Sequence, residues 1–207
     1  MAHFSGNATW TNTTATPITL TQLEAIENSI DTVHQRTVSG WQPPDHSWVA
    51  WSYDPVVATG SVGAGAGLFA QTGIQVSGTL VVTGIVVSVN TSNSTTIANQ
   101  NWLGIYGSSG LVGATADQAS TWTTTGTKVA ALVGGAVSLT PGEYVVAFLT
   151  NMTSGSVGFA AAPGSTAAIN ANTFLSRSAF VSTSLTSLPS TKPSITTQLN
   201  PLWAALY

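Results

Sequence analysis

The sequence predicts a mainly β chain, an antiparallel β-sandwich of jelly-roll type, preceded by one N-terminal helix that forms a trimeric coiled coil. Three observations predict it. Helical periodicity is confined to residues 19–36, and after Gly40 the sequence reads as several short strands, alternating with a period of two, between frequent turn residues. The composition is the third: of 207 residues 43% are hydrophobic and only 5% are charged, where ordinary globular proteins carry roughly a quarter charged. Disordered chains combine charge with few apolar residues, so this composition belongs to a chain that folds.

The helix comes first. Thr19 is placed to cap it, Gln22 completes a capping box, and Pro17 holds Thr16 extended just upstream. Apolar residues then recur at Leu23, Ile26, Ile30 and Val33, the spacing of an a/d seam, with Glu24, Glu27, Asn28, Asp31 and His34 off it. A single globular core demands a wider apolar stripe, and a helix of about four to five turns is marginal alone in water. The seam therefore needs partners. Leu at a, Ile at d and Ile at the next a lean toward three or more strands rather than two; the alternative is a helix lying against its own sheet. The expected organisation is an attachment segment in residues 1–18, the trimerisation helix and linker in 19–40, and the β-sandwich with a C-terminal arm in 41–207.

After the Pro43–Pro44 linker, Trp48 to Tyr53 has strand character. Ile74, Val76, Leu80 and Val82 alternate with small or polar residues and continue through Ile85 to Val89, with Gly78 and Gly84 marking a bulge or sheet corner. Asn90 to Asn101 is a polar loop. WLGIYG and GLVGAT are short strands joined through Gly107 to Gly110. Lys128 to Val133 and Ala136 to Leu139 flank Gly134-Gly135, a hairpin signal. In LTPGEYVVAFLT, Pro141-Gly142 has the residues of a type II turn, and Tyr144, Val146 and Phe148 share one face. From Pro163 the apolar pattern weakens until PLWAALY, which is too apolar to stay free in water. This stretch either completes the sandwich or runs as an arm over a neighbouring subunit.

The balance of four Lys+Arg against seven Asp+Glu leaves no basic stripe for nucleic acid and no polybasic membrane patch. The longest apolar stretch, Leu80 to Val89, is broken by Thr83, Gly84 and Ser88 and is too short to cross a membrane. No secretory signal is visible in MAHFSGNATW. With no cysteine, thiolate metal sites are excluded, and no metal-binding or cofactor-binding motif appears. Catalytic equipment is thin. His46 beside Asp45, with Asp54 nearby, lacks the G-x-S-x-G elbow of a hydrolase, GSVGAGAG at 60–67 lacks the Lys of a phosphate loop, and Asp117 with Glu143 is the one carboxylate pair in the β region to weigh as a glycosidase. No catalytic, cofactor or metal residue is expected.

Aromatic residues suggest binding instead. Trp102, Tyr106 and Trp122 are suited to stacking on sugar rings, with Asn101, Asp117 and Gln118 as hydrogen-bonding neighbours. Trp102 and Tyr106 are better read as core; Trp122, inside the polar run STWTTTGT, reads as exposed. Trp122, Asp117 and Gln118 are thus the candidate glycan contacts.

The segment NATWTNTTATPITLTQLEAIENSID resembles a short module of tail-associated fibre proteins in phages of Gram-positive hosts. The shared features are Trp10, the turn Thr16, Pro17, Ile18 and Thr19, and the helix residues Leu23, Ile26, Glu27 and Ile30, over about an eighth of the chain. The run NWLGIYGSSGLVGATADQASTW, followed by LTPGEYVVAFL, is similar to the β-sandwich domain of the same kind of protein. The resemblance implies a homotrimeric tail fibre or minor tail protein of a virion, assembled in the bacterial cytoplasm. Its N-terminal segment would grip other virion proteins and its β domain would face host cell-wall glycan. A capsid decoration or head fibre protein, and a freestanding carbohydrate-binding module, are the alternatives.

Overall fold

The structure, a computed structural model, describes residues 21–22, 24–30, 41–163, 178–182, 184–195, 197–198 and 200–207. The chain divides into two compact units, Met1–Trp41 and Gln42–Tyr207. In the first, residues 21–22 and 24–30 are α-helical and every described side chain among them is exposed. Ile26 and Ile30 are 51% and 60% exposed. The other two seam positions, Leu23 and Val33, and the attachment segment lie outside the described residues.

The second unit is mainly β, and all its strand pairs are antiparallel. The strands are β1 Ala50–Trp51, β2 Gly60–Ala64, β3 Leu68–Val76, β4 Leu80–Val82, β5 Gly84–Thr91, β6 Trp102–Gly107, β7 Gly110–Ala114, β8 Gly126–Ala131, β9 Val137–Leu139, β10 Gly142–Thr150, β11 Val157–Ala161, β12 Ser178–Ser182, β13 Thr197–Gln198 and β14 Ala204–Leu206. One six-stranded sheet has the order β1-β14-β5-β11-β2, with β8 on the other edge of β5. A second six-stranded sheet runs β13-β12-β3-β10-β6-β7, and β4 with β9 makes a two-stranded ribbon. The chain repeatedly passes from one large sheet to the other, so their inner faces share one core. Ile85, Val87, Val89 and Phe159 come from the first sheet, and Ala70, Ile74, Leu103, Ile105, Val146 and Phe148 from the second. Tyr144, Val146 and Phe148 do share that face.

The outer faces are covered as well. Behind the second sheet, Phe69, Tyr106, Val145, Ala147 and Leu149 pack under Leu185, Leu188 and Ile195 from the irregular strap 184–195. Gly104 makes room for this strap, since a Cβ there would stand 2.6 Å from the Leu188 side chain. Behind the first sheet, Val86, Ala160, Trp203 and Ala205 pack under Trp48, Trp51 and Tyr53 from the segment that leads into the fold. Sheets covered on both faces show near-continuous burial instead of alternation, and Val145 to Thr150 of β10 are indeed all buried.

Neutral side chains tie the strap down. The Asn151 amide donates to the carbonyls of Leu185 (2.8 Å) and Gln100 (3.1 Å), while its Oδ1 accepts from Gly67 N at 3.0 Å. Asn101 Oδ1 accepts from Asn151 N at 2.8 Å, joining loop and strand. A buried amide that satisfies its donors and acceptor in this way avoids the desolvation penalty of an unpaired polar group.

Three local expectations are corrected. Gly134-Gly135 does not close a hairpin between its flanking strands: β8 pairs with β5 and β9 with β4. Leu80 faces Leu139 and Gly84 faces Ala131, so β4–β5 and β8–β9 run beside each other as successive antiparallel pairs, and the glycine segment bulges out between β8 and β9. Both glycines hold positive φ, 97° and 90°, as a looped-out turn requires. Pro141-Gly142 makes a bend rather than a type II turn, because Gly142 already begins β10 opposite Val76. Trp48 to Tyr53 yields only the two-residue strand β1, its aromatic side chains serving as cover for the outer face. The C-terminal stretch completes both sheets of this chain through β12, β13 and β14.

Candidate functional site

The residues selected as glycan contacts have structural positions. Trp122 is 0% exposed. The short 3-10 turn Thr121–Thr123 leaves its threonines toward the surface and aims the indole inward, where it meets Phe159 edge-on at 5.2 Å between centroids. The expectation that Trp122 is exposed is therefore corrected. Asp117 is half-buried, its two carboxylate oxygens accepting from the backbone N–H groups of Asn99 and Asn101, both at 2.9 Å. Gln118 is buried, its amide donating to Ala116 O at 2.8 Å. These three organise the loop between β5 and β6 and the turn after β7. Tyr106 is buried and Trp102 half-buried, both in the cluster under the strap.

The acids near His46 also act on the backbone. Asp45 accepts from Gln42 N at 2.9 Å and Asp54 from Val56 N at 2.9 Å, each capping a short 3-10 turn. His46 stacks on Trp48, with ring centroids 4.8 Å apart. Asp117 and Glu143 are not brought together. Asp117 binds the backbone next to Trp102, which pairs with Leu149 at one end of β10, while Glu143 pairs with Gln75 at the other. Six residue-to-residue steps along the strand, from Glu143 to Leu149, separate the two ends by roughly 20 Å, beyond the carboxylate spacing of about 5–9.5 Å that glycoside hydrolysis uses.

Glu143 stands instead at an open cleft of about 590 Å³. One wall is the β6–β7 hairpin, with Ser108 and Ser109 in its turn and Val112 in β7; the other runs from β9 into β10, with Ser138, Thr140 and Glu143. Tyr144 forms part of the lining, its hydroxyl donating to Thr140 O at 3.1 Å. A Cβ at Gly107 would stand 3.2 Å from Tyr144 Cε1, so glycine there lets the β6 backbone pack close against that edge of the ring. The lining contains one carboxylate, several hydroxyls and no cation. Sequence reasoning singled out Glu143 only as half of a carboxylate pair and missed the cleft, whose walls come from segments about thirty residues apart. Among the described residues, no group of three or more His, Asp or Glu side chains is placed to hold a metal ion.

Two tyrosines report on how tightly the covers are seated. Tyr106 Oη donates to Pro189 O in the strap at 2.7 Å, and Tyr53 Oη donates to Pro201 O at 2.8 Å. Burial pushes both phenols above the ordinary tyrosine range. In the unfolded chain they lose their protons near pH 10, whereas in the folded chain they hold them, so their stabilising effect is complete below about pH 10 and is lost as pH rises further. Alkaline titration followed at the phenolate absorbance band is expected to show these two ionising only together with loss of near-UV circular dichroism. Free ionisation of every tyrosine near pH 10 with the fold intact would contradict this.

No protein-family model matches the sequence, and comparison with curated proteins gives no similar chain.

Proposed function

We propose that this chain is a homotrimeric structural protein of a phage particle, a tail fibre or minor tail protein. In this reading the helix of residues 19–36 forms the three-stranded seam, and residues 1–18 attach to other virion proteins. The β unit, a jelly-roll-like sandwich, faces the host surface and contacts its glycan. The observation that carries it is the exposure of Ile26 and Ile30, four residues apart on one helix. That spacing places both on one face, and large apolar side chains left in water on a short helix call for a partner. The similarity of the N-terminal segment to fibre modules supports the same reading, and the a/d residue choice favours three strands.

The test is the mass of the intact chain by light scattering. The expected value is three times 21.1 kDa. The double variant Ile26→Asp/Ile30→Asp is expected to run as a monomer with the β-type circular dichroism spectrum unchanged, because two charges on each helix cannot share a dry seam. A monomeric wild-type chain, or a double variant that stays trimeric, would overturn the assignment.

A further inference from the structure

We infer that the cleft between the β6–β7 turn and the β9–β10 connection is a saccharide site for uncharged sugar rings. The inference rests on the host-surface reading above and gives it a location that the sequence did not.

The chemistry of the lining selects the ligand. Ser108, Ser109, Ser138 and Thr140 present hydroxyls that both donate and accept, which suits a ligand whose own groups do the same. Glu143 is exposed at the rim, and a carboxylate accepting from ligand hydroxyls forms the stronger, charge-assisted kind of hydrogen bond. The half-buried Tyr144 ring is part of the lining and adds apolar surface against which the C–H groups of a pyranose pack. Its hydroxyl is already committed to Thr140 O, which fixes the ring.

The same lining rejects other classes. Phosphate esters, nucleotides and uronic acids need a cation or converging backbone N–H donors, and the cleft offers a carboxylate that would repel them. The volume of about 590 Å³ lies in the range of about 300–1,000 Å³ typical of small-ligand sites, and its openness at the strand ends admits the end or the middle of a longer glycan.

The test is saturation-transfer NMR on the full chain with two neutral probes, the trimer of N-acetylglucosamine and maltotriose, beside the acidic probe trigalacturonate. At least one neutral probe is expected to bind saturably and trigalacturonate to bind at least about tenfold more weakly. Glu143→Gln is expected to weaken the neutral probe about tenfold, the equivalent of one charge-assisted hydrogen bond, and Ser109→Trp to abolish binding by filling the cleft. Both positions are exposed, so circular dichroism should be unchanged; if Ser109→Trp does not fold, Glu143→Gln decides alone. Failure of both neutral probes, equal or tighter binding of trigalacturonate, or binding indifferent to the substitutions would overturn the site. Light scattering on the same samples separates the two readings. A trimer that binds neither neutral probe sinks the cleft alone, and a monomer that binds sinks the fibre assignment alone.

Discussion

A chain lacking residues 200–207 is expected to lose the cooperative fold of its β unit. The reason is position: β14 is interior to its sheet, pairing with β1 on one side and β5 on the other. The side chains of residues 202–206 serve two clusters. Leu202, Ala204 and Leu206 point into the shared core, and Trp203 and Ala205 into the aromatic cover on the outer face. The last residue is bound too. Thr83 and Gly84 donate their backbone N–H groups to Tyr207 O, and the Tyr207 ring lies against Gly84, where any Cβ would collide with it. Burial of Leu202, Trp203 and Leu206 alone is worth about 1.5–3 kcal/mol each, set against a total of about 5–15 kcal/mol for a domain. Removing them and opening the sheet therefore consumes most of the margin. Leu206→Ala is the graded version, with a loss of about 2–5 kcal/mol. Thermal melts by near-UV circular dichroism provide the check, and a truncated chain melting cooperatively near the full-length temperature would refute the argument.

Trp122→Ala is expected to destabilise the β unit by about 3–5 kcal/mol, the range for emptying a large buried aromatic site. The indole is wholly buried and edge-on to Phe159, which in turn meets Phe148 of the opposite sheet at 5.0 Å. The three rings therefore bridge the core from a surface turn to the far sheet. Trp122 Nε1 has no hydrogen-bond partner among the described residues, so Trp122→Phe sacrifices volume without orphaning an acceptor and should lose much less than the alanine variant. Urea unfolding midpoints of the two variants test both statements. Equal midpoints for Trp122→Ala and the parent would show that the side chain is not part of the core.

The same tryptophan shows where sequence reading stops. Its neighbours in STWTTTGT are polar, and local polarity reads as exposure; burial is decided by a single 3-10 turn that rotates one side chain inward. The strand character of 74–76, 80–82 and 85–89, the shared face of Tyr144, Val146 and Phe148, the glycine-joined pair β6–β7 and the apolar C-terminal segment were all legible, because each depends on residues within one strand or turn. Gly134-Gly135 was not, because a turn signal fixes a change of direction and leaves open which distant strand each flank will join. The covers over the outer faces left no periodic trace either, since 42–58 and 184–195 are largely irregular and contribute isolated side chains such as Trp48 and Leu188. The cleft was invisible for a related reason. Ser and Thr are abundant throughout the chain, so the few hydroxyls that converge beside Glu143 are distinguished only by the folding together of two separate segments.

The pairing of β1 with β14 also has a bearing on time. Ser52 and Leu202, bonded at 3.3 Å, are 150 residues apart in the chain, and the first sheet cannot be closed until they meet. The entropy lost in closing so long a loop grows only slowly with length, but it must be met before the contacts it permits can form. Antiparallel folds dominated by such distant pairings belong to the slow end of the folding range, milliseconds to seconds. The wiring of the chain thus puts it toward that slow end, and the interior place of β14 means that the first sheet is complete only once the C-terminal segment has arrived.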